Sequence, residues 1–345
     1  MKYRSWIMAG TVALAAMMAG VTQADVLSLQ FVPVGNPGNA ADPATGSLYG
    51  SVPYAYQMGK YDVTTGQYTA FLNAVAATDT YALYNSSMAV VGGSTYGCGI
   101  VRGGSAGSYT YSVATAYQNF PVNEVSWGDA ARFCNWLQNG QLTSGVENAS
   151  TTENGAYTLN GATSSSALMG INRNAGATYF IPSENEWYKA AYYDPTKPGG
   201  AGYWTYPTKS NTAPINTLPD TGNHANFYDG YGTGNGSYTD PTNYLTPVGA
   251  FAASPGPYGT YDMGGDVFQW NETAVTGSSR GLRGGHWDYY GSDGLASSTR
   301  NYADPTYEDD GFVGFRVASV PEPGSLTMLV MIAVTGLLYY RRKHV

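Results

Sequence analysis

Apolar positions recur with a helical period in only three stretches of this chain. Tyr68, Phe71, Leu72 and Val75 fall at the i, i+3, i+4, i+7 spacing of one face, and Thr65 can cap the helix they predict. A second helix is predicted from Ser126, where Asp129 completes a capping-box variant, Trp127, Ala130, Ala131 and Cys134 share a face, and Gly140 stops the element. In the third, Ser183 and Glu186 form a capping box, Trp187, Ala190 and Ala191 face inward, and the helix should end near Asp194 and Pro195. Residues 25–56 mix Gly, Pro, Ala and Ser with scattered apolar positions and read as strands and turns. Asn85 to Tyr117 has no period and reads as a long insertion or irregular strands. Beyond Pro195 no strong helix is predicted up to Val317, and there is no internal repeat.

The two ends have another pattern. Lys2 and Arg4 precede an apolar run from Trp6 to about Val21, followed by Thr22, Gln23 and Ala24, the layout of a secretory signal peptide over residues 1–24. At the other end Val320, Pro321, Glu322 and Pro323 lead into an apolar stretch from Leu326 to Tyr340, closed by Arg341, Arg342 and Lys343. This three-part tail, residues 320–345, resembles the PEP-CTERM sorting signal of Gram-negative bacteria that make extracellular polysaccharide. The resemblance implies a partner, the membrane protease exosortase, which processes the tail. A plain C-terminal anchor is the simpler reading. With either, the chain is expected to cross the inner membrane, stay attached through its tail, and hold residues 25–319 outside the cytoplasm as one domain, at the cell surface or in the extracellular matrix.

Composition narrows what that domain can be. Charged residues make up 12% of the chain against 45 Gly and 31 Tyr, which suits a loop-rich globule with glycine turns and tyrosine packing; the 14% aromatic content excludes disorder. The formal charge is −8, and because the ends carry Lys2, Arg4, Arg341, Arg342 and Lys343 against Glu322 alone, the part between them is near −12. Such a surface repels phosphate backbones and excludes nucleic acid as a partner. An oxidising compartment permits a disulfide between Cys98 and Cys134, although one lies in a glycine loop and the other on a helix face; two free thiols are the alternative.

Five segments in order then carry a family resemblance: MGKYDVTTGQYTAF from Met58, PVNEVSWGDAARFCNWL from Pro121, FIPSENEWYKAA from Phe180, YGTYDMGGDVFQW from Tyr258, and RGGHW from Arg283 with GFVGFRV from Gly311. Together they resemble the formylglycine-generating enzyme, or sulfatase-modifying factor, family. Trp127, Trp136 and Trp187 would anchor its core, and Arg283 and Arg316 would hydrogen-bond carbonyls. The resemblance implies a single compact α+β fold with sparse secondary structure and C-type-lectin-like topology. It also implies structural calcium at two sites: Asn226, Phe227, Asp240 and Thr242, and Asp262, Gly265, Val267 and Gln269. Phe227, Thr242, Gly265 and Val267 would give carbonyl oxygens, which with the side-chain oxygens suit a hard cation. Where relatives have Glu, this chain has Gln269; Asp262 replaces a neutral Asn.

The family's enzyme oxidises a sulfatase cysteine with oxygen and a copper(I) ion held by two thiolates. The matching positions here are Tyr289 and Gly294, so no copper is expected. An iron triad from His224, His286 and Asp288 is conceivable, as is pairing among Glu184, Glu186, Asp288 and Asp293, but nothing in the sequence brings either set together. The glycine stretch 97–107 lacks the Lys and strand-to-helix context of a phosphate loop. What remains is a pocket-lining segment offering His286, Trp287, Asp288, Tyr289, Tyr290, Asp293, Arg300 and Tyr302. Rings beside carboxylates suit a polysaccharide or peptide. The expected function is a non-catalytic binding or structural module; the alternative is an enzyme of the same superfamily with a different oxygen- or metal-dependent chemistry.

Overall fold

The computed structural model describes residues 27–91, 97–308 and 311–320. The signal-peptide segment and the sorting tail beyond Val320 lie outside them, and no helix among the described residues is long and apolar enough to cross a membrane.

All three predicted helices form. α1 (Thr65–Val75) starts one residue earlier than expected: Thr64, not Thr65, is the cap, and Gln67 returns its side chain to complete a capping box. Thr65 is diverted because its hydroxyl donates to the Phe120 carbonyl. α2 (Trp127–Gln138) opens on the Ser126–Asp129 box and is followed by Gly140 in the left-handed region at φ 77°. A short helix, α3 (Ser165–Met169), was not predicted; five residues hold too little periodicity to signal one. α4 (Glu184–Tyr192) uses the Ser183–Glu186 box but stops two residues short of Asp194, because Tyr193 turns extended and begins a strand.

Two four-stranded sheets frame these helices. One has β1 (Phe31–Val34), β2 (Tyr56–Gly59), β12 (Ala318–Ser319) and β5 (Tyr179–Phe180) in the order β1-β2-β12-β5, joining the first and last parts of the domain. The other has the order β10-β9-β8-β11, with the long antiparallel pair β8 (Phe268–Thr276) and β9 (Ser279–Arg283) flanked by β10 (Asn301–Ala303) and by β11 (Val313–Gly314), which runs parallel to β8. The aperiodic stretch after Asn85 holds a hairpin, β3 (Ile100–Gly103) with β4 (Thr110–Val113); a second small ladder pairs β6 (Tyr193–Asp194) with β7 (Gly202–Tyr203). The class is therefore mixed α+β, with most residues in loops.

Aromatic side chains fill the core where regular structure is scarce. Phe71, Phe133 and Phe315 meet edge to face at 5.3 Å, and Trp127, Trp187, Trp270 and Trp287 are fully buried. Cys98 and Cys134 are both buried free thiols, and burial pushes both thiols upward, Cys98 to about 11. Arginines tie loops to this core. Arg283 donates to the carbonyls of Ser297 and Thr299, and Arg316 to those of Gly59 and Tyr261, the role expected from the sequence.

Candidate functional site

Gly284 and Gly285 end β9 at φ 102° and 74°, a pair of left-handed residues that turns the chain sharply. A Cβ at Gly285 would lie 3.1 Å from the Gly294 carbonyl, so the loop they start closes tightly on itself. The segment from His286 to Tyr302 is thereby folded over the end of the β8–β9 sheet, and the structure divides its expected pocket residues into three groups.

His286 and Trp287 belong to the interior. The His286 ring is 4.2 Å from Phe312 and 4.9 Å from Phe268, and its Nδ1 accepts the Asp288 amide. Trp287 stacks on Tyr244 at 4.8 Å and donates to the Gly311 carbonyl, so it is core rather than pocket wall. Burial pushes the His286 imidazole down from 6.5 to about 3. The unfolded chain therefore takes up a proton below about pH 6.5 that the folded chain refuses, and stability present above that pH is lost as pH falls towards 3. Relative to His286→Gln, the wild type is expected to lose about 3 kcal/mol of stability between pH 7.5 and 4.5 in chemical denaturation. The difference between the two proteins is the informative quantity, because buried carboxylates titrate in the opposite sense in both.

Tyr289 and Gly294 are in direct contact. A Cβ at Gly294 would fall 2.3 Å from the Tyr289 ring, so the ring fills the space between the two positions. Neither supplies a soft donor, and the gap that two thiolates would share is taken; the residues present do not fit a copper(I) centre.

The third group is exposed. Tyr290 is 54% and Tyr231 65% accessible, and their rings meet edge to face at 4.9 Å. Tyr290 donates to the Gly230 carbonyl at 2.9 Å, and its ring lies where a Cβ at residue 230 would be, so glycine is required there. Tyr231 packs on Gly291 beside the exposed Asp293, and Tyr228 and Tyr238 continue the cluster inward, with the Tyr238 hydroxyl donating to Asp288 at 2.7 Å. Tyr228, Tyr231 and Tyr238 come from a distant loop; the only trace of them in the sequence is tyrosine density between 226 and 238. Arg300 and Tyr302 do not join this face. Arg300 engages Glu184 and lies over Tyr49, and Tyr302 stands exposed on β10 opposite Gly281.

The other pairings considered from the sequence are not assembled. Both ring nitrogens of His224 are taken by Thr217 and Thr221, and among the described residues no three His, Cys, Asp or Glu side chains form a group that could hold a metal ion. Glu184 is bound by Arg283 and Arg300. Glu186 is bound by Arg173 and Tyr54; burial alone would raise its pKa, but these donors hold it below the usual range.

The residues expected to bind calcium are partly committed elsewhere. Asn226 gives its Nδ2 to the Tyr244 carbonyl and to Asp266, leaving its buried Oδ1 without a partner. The Phe227 carbonyl accepts Asn216, and Asp240 accepts the amides of Thr242 and Asn243. In the second set Gln269 is engaged on both sides: Oε1 accepts Trp187 Nε1 at 2.6 Å and Arg316 Nε at 2.7 Å, while Nε2 donates to the Asp262 carbonyl. Gly265 sits at φ 88° and pairs with Asn226, and Val267 packs with Trp287. Asp262 keeps one buried oxygen, Oδ1, without a partner. Nearby Asp62 has neither oxygen hydrogen-bonded, and only Arg316, at 3.3 Å, opposes its charge. Burial, and for Asp266 the neighbouring Asp262, pushes Asp262 up to about 6 and Asp266 to about 7, and Asp62 higher than usual.

Comparison with known proteins places this geometry. The model of the sulfatase-modifying factor enzyme 1-like domain matches residues 40–320. Among solved structures, the Treponema denticola variable protein 1 is 18% identical and superposes with a TM-score of 0.50 over 85% of this chain and 95% of its own. CarF (19% identity, TM-score 0.46, covering 85% of this chain and 99% of that one) and PvdO from Pseudomonas aeruginosa (20%, 0.42, 86% and 93%) are also similar. No curated protein matches the chain.

Proposed function

The chain belongs to the sulfatase-modifying factor enzyme 1-like family, and from that premise we propose that it is an exported, membrane-tethered binding module that has left the family's copper chemistry. Its ligand is a polysaccharide, or a peptide, held on the Tyr231–Tyr290 face. The observation that carries this reading is the contrast between two neighbouring places. The position pair that would hold copper is filled by Tyr289 against Gly294, while beside it two tyrosines are more than half exposed at 4.9 Å, with Asp293 next to them. Exposed rings give stacking surface, the carboxylate fixes hydroxyls or amides, and Gly230 and Gly291 beneath the rings hold them rigidly. The export signal and sorting tail read from the sequence put this face outside the cell, with exosortase as the processing partner.

Structural calcium is part of the same reading. Asn226 Oδ1 and Asp262 Oδ1 are buried oxygens without partners, one in each expected site. These are hard donors, the chemistry a calcium ion would satisfy. Gln269 is not a donor in this arrangement, since its oxygen already accepts two N–H groups.

The test is retention on the extracellular polysaccharide of the producing bacterium. Tyr231→Ala combined with Tyr290→Ala is expected to weaken retention about tenfold or more while leaving the melting temperature nearly unchanged. Unaltered retention would remove the tyrosine face from the proposal. Metal analysis of the same preparation is expected to find calcium; stoichiometric iron or copper would overturn the non-catalytic reading and restore the enzymatic one.

A further inference from the structure

A groove of about 810 Å³ opens between α1, β4, the Gln118–Asn119 turn, the Pro247–Val248 loop and the first described residues. It shares no residue with the tyrosine face. None of its lining side chains carries a charge. Gln30, Ser112, Gln118 and Asn119 are exposed in it, and none of these four side chains hydrogen-bonds to another of the described residues. Tyr61 stands at one end as a fixed ring, stacked on Tyr261 at 5.6 Å and set against Gly249, where a Cβ would come within 2.8 Å of it. We propose that this groove binds a neutral oligosaccharide.

The chemistry of the wall selects that class. A charged polymer would find no counter-charge among the lining residues. An apolar ligand would have to strip water from free amides and hydroxyls without replacing their hydrogen bonds. An extended peptide would dock by adding a strand to β4, but that edge is closed at Tyr111: its N–H donates to Asn73 Oδ1 at 2.9 Å and its carbonyl accepts Asn73 Nδ2 at 2.8 Å. What is left is a partner rich in uncharged hydroxyls, which amides serve as both donors and acceptors and a fixed ring can face. The volume falls within the roughly 300–1,000 Å³ of small-ligand sites.

Affinity electrophoresis of the purified full chain through gels holding dextran, a mixed-linkage β-glucan, a galactomannan or alginate tests this. At least one neutral polymer is expected to retard the protein, and anionic alginate is not. Ala70→Trp, which fills the groove from an exposed position on α1, and Gln118→Ala should each weaken the apparent affinity about tenfold. The Tyr231→Ala, Tyr290→Ala pair is run alongside: retardation lost in that pair but kept in Ala70→Trp assigns the binding to the tyrosine face and overturns the groove, so that failure here and failure of the tyrosine face are separable. No retardation by any neutral polymer, retardation by alginate, or retardation that survives Ala70→Trp overturns the proposal.

Discussion

Arg316→Met is expected to destabilise the domain by about 3–5 kcal/mol, enough to lose most of the folded protein at 37 °C. Arg316 is fully buried; its guanidinium donates to three acceptors, Gln269 Oε1 and the carbonyls of Gly59 and Tyr261, and opposes the carboxylate of Asp62 at 3.3 Å. Methionine matches its length but leaves the three acceptors without that donor. Asp62 would then be a buried carboxylate with no opposing charge, since neither of its oxygens accepts a hydrogen bond. Urea denaturation should order the variants. Asp62→Asn should cost much less than Arg316→Met, because burial already pushes the Asp62 pKa upward and its neutral form is the less penalised one. The double variant Asp62→Leu, Arg316→Met should recover part of the loss. If Arg316→Met proved as stable as wild type, these four contacts would not hold the first sheet to the loop before β8.

Glu184→Gln has the second largest expected effect, again about 3–5 kcal/mol, with a fall in melting temperature of roughly 8 °C or more. One carboxylate here holds two guanidiniums: Oε1 accepts Arg283 Nη2 at 2.6 Å and Arg300 Nε at 2.8 Å, and Oε2 accepts Arg300 Nη2 at 2.6 Å. An amide keeps the shape but not the charge, and turns two paired cations into two repelling ones. Arg283 is the one that matters for the site, because it also donates to the carbonyls of Ser297 and Thr299 and so fixes the return of the loop that carries Tyr289 and Tyr290. Glu184→Gln should therefore weaken polysaccharide retention as well as stability, whereas Arg300→Gln, removing a half-exposed partner, should cost only about 1 kcal/mol. Equal effects of the two would mean that the carboxylate does not organise the loop.

The helices were legible because their signals are local. Ser126 with Asp129 and Ser183 with Glu186 state a helix start within four residues, and the apolar faces that follow need no knowledge of partners. The single error at α1 came from outside the helix: the Phe120 carbonyl claims the Thr65 hydroxyl and moves the cap to Thr64. The short paired strands were not legible, because two or three extended residues have no period and form only against a partner far along the chain, as β12 does between β2 and β5.

For the candidate site, the sequence by itself determined the family's order of motifs, the replacement of the two thiolate positions by Tyr289 and Gly294, and the absence of charge enough for many surface helices. Residue identity settles these, since a phenol and a hydrogen atom cannot act as thiolates in any fold. Only the tertiary structure decided which rings face water. Trp287 and Tyr290 are three residues apart in one loop, yet Tyr244 and Gly311 draw the first inside, while Gly230 and Tyr231, from some sixty residues earlier, hold the second at the surface. Exposure depends on what distant chain arrives to cover a side chain, and in a fold made mostly of loops no local period announces that arrival.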